Sequence, residues 1–282
     1  MIPQRNHSLD RYAQAKNTSR MKLIFWTFLL VTTIGFSQSE KQFLSDFLLE
    51  DELNPKNKLS EYQHYGFSNV WNKTSNEFIY GIIGEDHQRI RIKFISINKN
   101  FEKPNEYYVF GKSMVDKNIC DFFGTIKIRK IKEVKELHFG VDDEYKNKGI
   151  TQQGILIAEY FFDEDAQQIH PGIFKGKLYS KWYLDKDDNM VYDDIQSISD
   201  TYFNNAFVGT WKSYETGKEK ICNWADWRVP NANSDFDIGA GEFSVSKKYW
   251  NKGWMDIALK NQAPNGAIVR EKSNKKTKKW WE

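Results

Sequence analysis

Between residues 75 and 230 the apolar positions recur every second residue, and the phase of that alternation can be followed from stretch to stretch. Arg89-Ile90-Arg91-Ile92-Lys93-Phe94 alternates charge and hydrocarbon strictly. Ile95-Ser96-Ile97 then continues in the opposite phase. A slip of one residue is what a β-bulge produces, because one extra residue re-aims every side chain after it. Tyr107–Val115 and Ile119–Ile131 read as two further strands, the second with Phe122, Ile126 and Ile128 on one face and Lys127 and Arg129 on the other. Gly154–Phe162 is apolar on both faces and predicts a strand covered on both sides. In Phe174–Leu184, Phe174, Gly176, Leu178, Trp182 and Leu184 point one way. Lys175, Lys177, Tyr179, Lys181 and Tyr183 point the other, half-solvated way. Asp185–Asn189 reads as a turn and Met190–Asp193 as the return strand. Phe207–Tyr214, Lys218–Trp224 and a hairpin around Pro264-Asn265-Gly266 complete the series.

Four times an aromatic residue stands next to, or two before, a glycine: Phe110-Gly111, Phe123-Gly124, Phe174-Lys175-Gly176 and Phe207-Val208-Gly209. Glycine inside a strand marks a bend or a close backbone approach, and a curled sheet needs these repeatedly. The predicted fold is therefore mainly β, a curved antiparallel meander that is barrel-like or made of two packed sheets, with a β-sandwich as the alternative. Long helical patterns are missing from 75 to 230, which argues against α/β architecture. One short N-terminal helix is expected. Ser39 and Gln42 form a capping box, Phe43, Leu44, Phe47 and Leu48 follow at helical spacing, and Asn54-Pro55 ends it.

Ahead of this domain, Met21–Gln38 has the three-part layout of a secretory leader. Arg20 and Lys22 are its cations, Leu23–Phe36 its apolar run, and Gly35 and Ser37 its small residues. The run is 14 residues long, where a membrane span needs about 20, so no stable span is expected after cleavage near Ser37. The expected organisation is a polar pre-leader at 1–20 with Met21 as the true start, a signal peptide at 21–37, a helix and linker at 38–60, one β domain at 61–270 and a basic disordered tail at 271–282. The destination is extracytoplasmic.

The 282 residues carry 41 Lys plus Arg against 38 Asp plus Glu, a net charge of +3. Residues 1–37 hold five of the cations and one anion, which leaves 36 positive and 37 negative charges in the mature chain. That balance gives no reason to expect nucleic acid as a partner. Export places Cys120 and Cys222 in an oxidising compartment, where one disulfide between them and two buried thiols are both open readings.

No catalytic residue, metal site or cofactor is indicated. The mature chain's His64, His87, His138 and His170 are scattered without zinc-ligand spacing. Asp185, Asp187, Asn189 and Asp193 resemble a calcium loop, but Met190 stands where glycine is needed, so a polar turn accounts for them better. Nucleophile elbows and phosphate-binding glycine loops are missing. The Gly209-Thr210-Trp211 triplet resembles the one at the start of lipocalin and avidin barrels, yet it lies late in the chain and assigns no family.

The anomaly is Phe207–Trp254, which holds Trp211, Trp224, Trp227, Trp250 and Trp254 among Asp226, Arg228 and Glu242. Tryptophans beside carboxylates suit stacking on sugars and equally suit a protein-binding hot spot. They also suit a packed plug with each indole N–H bonded internally. The expectation is an exported, non-enzymatic binding or interaction protein whose contact surface is this tryptophan-rich third, with carbohydrate or another envelope protein as partner. Two alternatives stand beside it: a glycosidase-like secreted hydrolase using Asp226 and Glu242, and a structural envelope component recognised through its lysine–tyrosine strand face.

Overall fold

The computed structural model describes residues 47, 50–200, 202–239, 241–261 and 279–282. Glu52–Glu282 form one compact unit and Met1–Asp51 a separate one. The leader, its cleavage site and the 264–266 hairpin lie outside the described residues. So does most of the expected N-terminal helix, whose described end, Glu50–Glu52, is a single 3₁₀ turn.

Nine strands follow: β1 (Ile79–Ile83), β2 (Gln88–Lys99), β3 (Glu106–Val115), β4 (Asn118–Glu133), β5 (Gln152–Glu164), β6 (Gly172–Leu184), β7 (Met190–Tyr192), β8 (Asn204–Ser213) and β9 (Glu219–Asp226). Every pairing is antiparallel, in the order β5-β4-β3-β2-β1-β9-β8-β6, and β6 pairs back onto β5 from Gln152↔Leu184 to Asp163↔Ile173. The circle is closed. It is an eight-stranded barrel, not a sandwich, and β7 continues beside β6 where β8 leaves off. The bulge expected after Phe94 is present, with the β2–β3 register shifting between Phe94 and Ser96. A second shift, between Ile128 and Lys130, bends β4 against β5.

Eight strands leave a lumen just wide enough for side chains to fill, and here they fill it. Phe94, Phe122, Tyr160, Phe162, Phe174, Phe207 and Trp224 all point inward and are buried. Phe207 and Trp224 stack at 4.6 Å, and Phe122 and Phe162 at 5.1 Å. Space for so many rings comes from glycine. Gly176 and Gly209 face each other across β6 and β8, and the hydroxyl of Tyr160 lies over them. A Cβ on Gly209 would come within 2.6 Å of that hydroxyl and 2.1 Å of the Lys175 carbonyl oxygen. Part of the aromatic–glycine pattern is thus a packing requirement.

One barrel end is plugged. Two four-residue helices, α1 (Leu59–Tyr62) and α2 (Ser68–Trp71), lie across it. Phe67, Val70 and Trp71 are buried there. The Trp71 indole donates to Ser180 Oγ at 3.1 Å, and the Tyr107 hydroxyl accepts from the Phe67 amide at 3.2 Å. Lys99 of β2 donates to the carbonyls of Gln63, His64 and Tyr65. It satisfies orphan carbonyls at the end of α1 with a cation, as a helix C-terminus favours.

The outside of the barrel is covered in two places. Segment 229–261, which ends in α3 (Met255–Asn261), packs Phe236, Phe243, Tyr249 and Trp254 onto Tyr80 and Ile82 of β1. Arg89 clamps it: the guanidinium lies 5.0 Å from the Trp254 ring centroid, donates to the Gly253 carbonyl and pairs with Asp256. The outward half of β5 is covered where Gln153 bonds both the amide and the carbonyl of His138. The two-sided burial expected of Gly154–Phe162 is found only in its first part, because the outward residues Glu159 and Phe161 are exposed. On β6 one expected half-solvated residue, Tyr179, is instead 1% exposed. Of the expected disordered tail, residues 279–282 are described. There Trp280 donates to Asn76 Oδ1 at 3.2 Å and the Lys93 ammonium sits 5.6 Å from the Trp281 ring centroid.

Replacing Gly209 with alanine is expected to destabilise the barrel by about 3 kcal/mol, because the new methyl meets fixed backbone as well as a ring hydroxyl. Tyr160→Phe is expected to be neutral or mildly stabilising, since that buried hydroxyl has no hydrogen-bond partner among the described residues. Urea denaturation of the two variants measures both effects, and a Tyr160→Phe loss matching that of Gly209→Ala would refute this account of the lumen.

Candidate functional site

The tryptophan-rich third does not converge on one surface. Trp224 is in the lumen. Trp211 is near the end of β8 away from α1 and α2, with its indole donating to Glu164 Oε2 at 2.9 Å. Trp227 follows β9 with φ +72° and stacks on Phe78 at 4.4 Å. Trp250 donates to the Val245 carbonyl at 3.0 Å. Trp254 is buried against β1, its indole donating to the His87 carbonyl at 2.9 Å. Arg228 is spent on the loops around it, pairing with Asp237 at 2.5 Å and donating to the carbonyls of Gly241 and Asp200. Three of the five indoles are bonded internally, whereas the buried Nε1 atoms of Trp224 and Trp227 have no partner among the described residues, so the packing role with every indole N–H bonded is met only in part. The five tryptophans are spread between the lumen, a barrel end and the outer covering segment rather than gathered on one face.

Asp226 and Glu242 do not share a cleft. Asp226 is inside the plugged end, whereas Glu242 is exposed on the outer covering segment. Cys120 and Cys222 are separate buried thiols, so the structure contains no bridge between them. Burial pushes the Cys120 thiol up to about 11, with the Glu164 carboxylate adding to it, and raises Cys222 too. Neither is a ready nucleophile.

Two inward carboxyls matter more than the sequence suggested. Asp226 Oδ2 accepts from Thr74 Oγ1 and from Asn205 Nδ2, each at 2.8 Å, with Tyr192 beside it. The same Asn205 amide donates to the Val70 carbonyl of α2 at 2.9 Å. The plug is therefore tied to the wall through one carboxyl. Burial pushes Asp226 up to about 7, opposed only in part by those hydrogen bonds. At the other end Glu164 accepts from the Gly172 amide at 2.8 Å, from the Trp211 indole and from the Ser113 hydroxyl. Burial raises it as well. Both groups brace the fold, and their partners are fixed protein atoms.

Exposed aromatic side chains gather on the outer face of β3, β4 and β5. Tyr108 is 52% exposed, Phe123 62% and Phe161 45%, with Ile95 of the β2 bulge beside them. Phe110 is half-buried because it stacks on Phe123 at 4.6 Å. These side chains sit on neighbouring registers: Phe110 faces Phe123, Tyr108 faces Thr125, and Thr125 faces Phe161. Charged pairs frame them. Lys112 bonds Asp121 at 2.7 Å on one side, and Arg129 makes two bonds to Glu159 on the other. An aromatic centre inside a polar rim is the anatomy of a protein contact patch. The alternation of residues 107–125 carried this signal in the sequence. It went unread because the alternation groups residues by face within one strand, while only the register between strands shows which rings become neighbours.

The sign of the Asp226 effect follows from its folded value of about 7 against an ordinary 3.8. The folded state holds the proton more tightly, so the contribution is complete below about pH 4 and is lost as pH climbs to about 7. Asp226→Asn keeps an oxygen for Thr74 and Asn205 and never ionises. It is expected to exceed wild type in stability at pH 8 by roughly 2–4 kcal/mol, with the gap closing toward pH 4. Urea denaturation of both proteins across that range tests this, and a gap independent of pH refutes it.

No family model, curated protein or solved structure matches this chain.

Proposed function

We propose that this protein is an exported, non-enzymatic interaction module that meets its partner on the outer face of β3–β5. The observation that carries the reading is the cluster of Tyr108, Phe110, Phe123 and Phe161, solvent-facing on a barrel whose lumen is occupied by its own rings. A barrel that carries small ligands inside needs lumen space, and here aromatic side chains take it up. A hydrolase of the two-carboxylate kind needs both acids at one substrate, and Asp226 and Glu242 lie on opposite sides of the wall. Aromatic residues are favoured at the centre of contact patches because they bury large area at little entropic cost. The export half of the proposal rests on the leader layout of Met21–Gln38.

A photo-crosslinking amino acid placed at position 123 in the producing cells tests the contact face. Adducts are expected at 123 and not at position 141, a control on an exposed loop residue, Val141. Equal yields at the two positions, or no adduct at 123, would refute the exterior-contact reading.

A further inference from the structure

The outer faces of β3 and β4 carry four matched rows. Glu106 lies opposite Lys127, Tyr108 opposite Thr125, Phe110 opposite Phe123, and Lys112 opposite Asp121. Reading along β3 gives acid, aromatic, aromatic, base. Reading along β4 in the same spatial direction gives base, threonine, aromatic, acid. The pattern has a centre, the inward-facing row Val109–Gly124. An axis lying in the face and crossing both strands at that row carries each strand onto itself with direction reversed. Under that rotation Glu106 meets Lys112 of another molecule and Lys127 meets Asp121. Each charge finds its opposite, and the Phe110–Phe123 pair comes down on Tyr108 and Thr125.

We propose that the face built by Tyr108, Phe110 and Phe123 pairs with the same face of a second copy of this chain, strands antiparallel, about a two-fold axis crossing β3 and β4 at Val109 and Gly124. The inference rests on the exterior-contact reading and names its partner. An isologous contact must be self-complementary, and only a minority of the ways to place four charges around an apolar centre satisfy that. Here both charged rows do. Within one molecule the charges are already balanced across the strands, so the monomer is soluble and pairing adds a second set of opposite neighbours. Opposed charges of this kind fix register. They exclude an axis running along β3, on which Glu106 and Lys112 would each meet their like. An axis running between β3 and β4 would also oppose unlike charges, but it brings the two stacked ring pairs down on each other. The crossing axis instead seats each Phe123 over the small Thr125 of the other copy, so the rings interleave. The barrel wall is convex, so only the crest formed by β3, β4 and the ends of Ile95 and Phe161 touches. The interface is small, and such contacts are reversible.

Sedimentation of the full mature chain over a concentration series is the test. Wild type is expected to show a reversible monomer–dimer equilibrium in the micromolar range, and Phe123→Lys to stay monomeric with unchanged circular dichroism and thermal midpoint. Lys127→Glu sets a second acid against Asp121 of the other copy, and Asp121→Lys sets a second base against Lys127 of the other copy. Each variant alone is expected to dimerise at least tenfold more weakly. Mixed in equal amounts, the two variants make only opposite-charge contacts in the heterodimer and are expected to associate within a few-fold of wild type. About the axis between the strands the same mixture would keep its like-charge contacts, at Glu106 and at Lys112, and would not recover. The intrachain changes are the same in the mixture as in the single solutions, so recovery reports the intermolecular register. A wild type monomeric to millimolar concentration, a dimer indifferent to Phe123→Lys, or a mixture as weak as its parts would each overturn the proposal. The first of these leaves the exterior-contact reading standing, because a crosslink at 123 to a different chain is recognised by an adduct mass other than twice that of the protein.

Discussion

An eight-strand circle has no free edge and almost no empty interior, and every other feature of this chain answers to that constraint. Closure uses up the backbone hydrogen bonds that an open sheet would leave unpaired. It also fixes the cross-section, so the inward side chains must sum to the lumen. The chain meets this with large rings opposed by glycines, as at Tyr160 over Gly176 and Gly209. β1 is the shortest wall strand that closes the circle, with five residues against β9 and three register pairs to β2. The covering segment with Phe236, Phe243 and Trp254 lies over its outer face. Burial on both sides holds a strand that its ladder alone would hold poorly.

Filling the lumen with hydrocarbon leaves polar groups to the two ends, and each end is organised by one carboxyl. Asp226 gathers Thr74 and Asn205, and through Asn205 the backbone of α2. Glu164 gathers the start of β6, Trp211 of β8 and Ser113 of β3. A buried carboxyl with donors from different elements is costly to desolvate, yet it specifies which elements meet. That explains why helices as short as α1 and α2 persist. Four residues cannot form a stable helix in water, and here their carbonyls and indoles are held by Lys99, Asn205 and Ser180.

β2, β4 and β6 were legible because each alternates a wet and a dry face, including the phase slip after Phe94, and β5 was legible as a run of apolar residues on both faces. β1 was not, since Ile79-Tyr80-Gly81-Ile82-Ile83 is short and apolar on both faces, covered outside by a segment more than a hundred residues later. The plug helices were too short to show a period, and α3 is set by its contact with β1. Site reasoning misread the tryptophans for a related reason. Counting Trp beside Asp and Arg detects a polar–aromatic neighbourhood in sequence, but strand alternation sends Trp224 and Asp226 into the lumen while Trp227 leaves the strand at a left-handed residue. Proximity along the chain became separation in space. Phe110, Phe123 and Phe161 are far apart in sequence and adjacent on the wall, which only the register could reveal.

A closed barrel can meet another macromolecule through its mouths or through its wall. One mouth here is stopped by α1 and α2, and β3, β4 and β5 are each paired on both sides, which leaves no edge to extend on that part of the wall. Recognition through the wall must therefore use side chains alone, on a convex surface where few can reach a partner at once. Under that restriction rings are the effective choice: a stacked pair such as Phe110 and Phe123 stands rigidly off the sheet and presents area without freezing many rotors. Scattered exposed aromatics would carry no such implication. Four of them on three successive strands, framed by ion pairs that keep the surrounding wall wet, form the one apolar crest on the outer face of β3–β5, and its charge frame then decides what can lie against it.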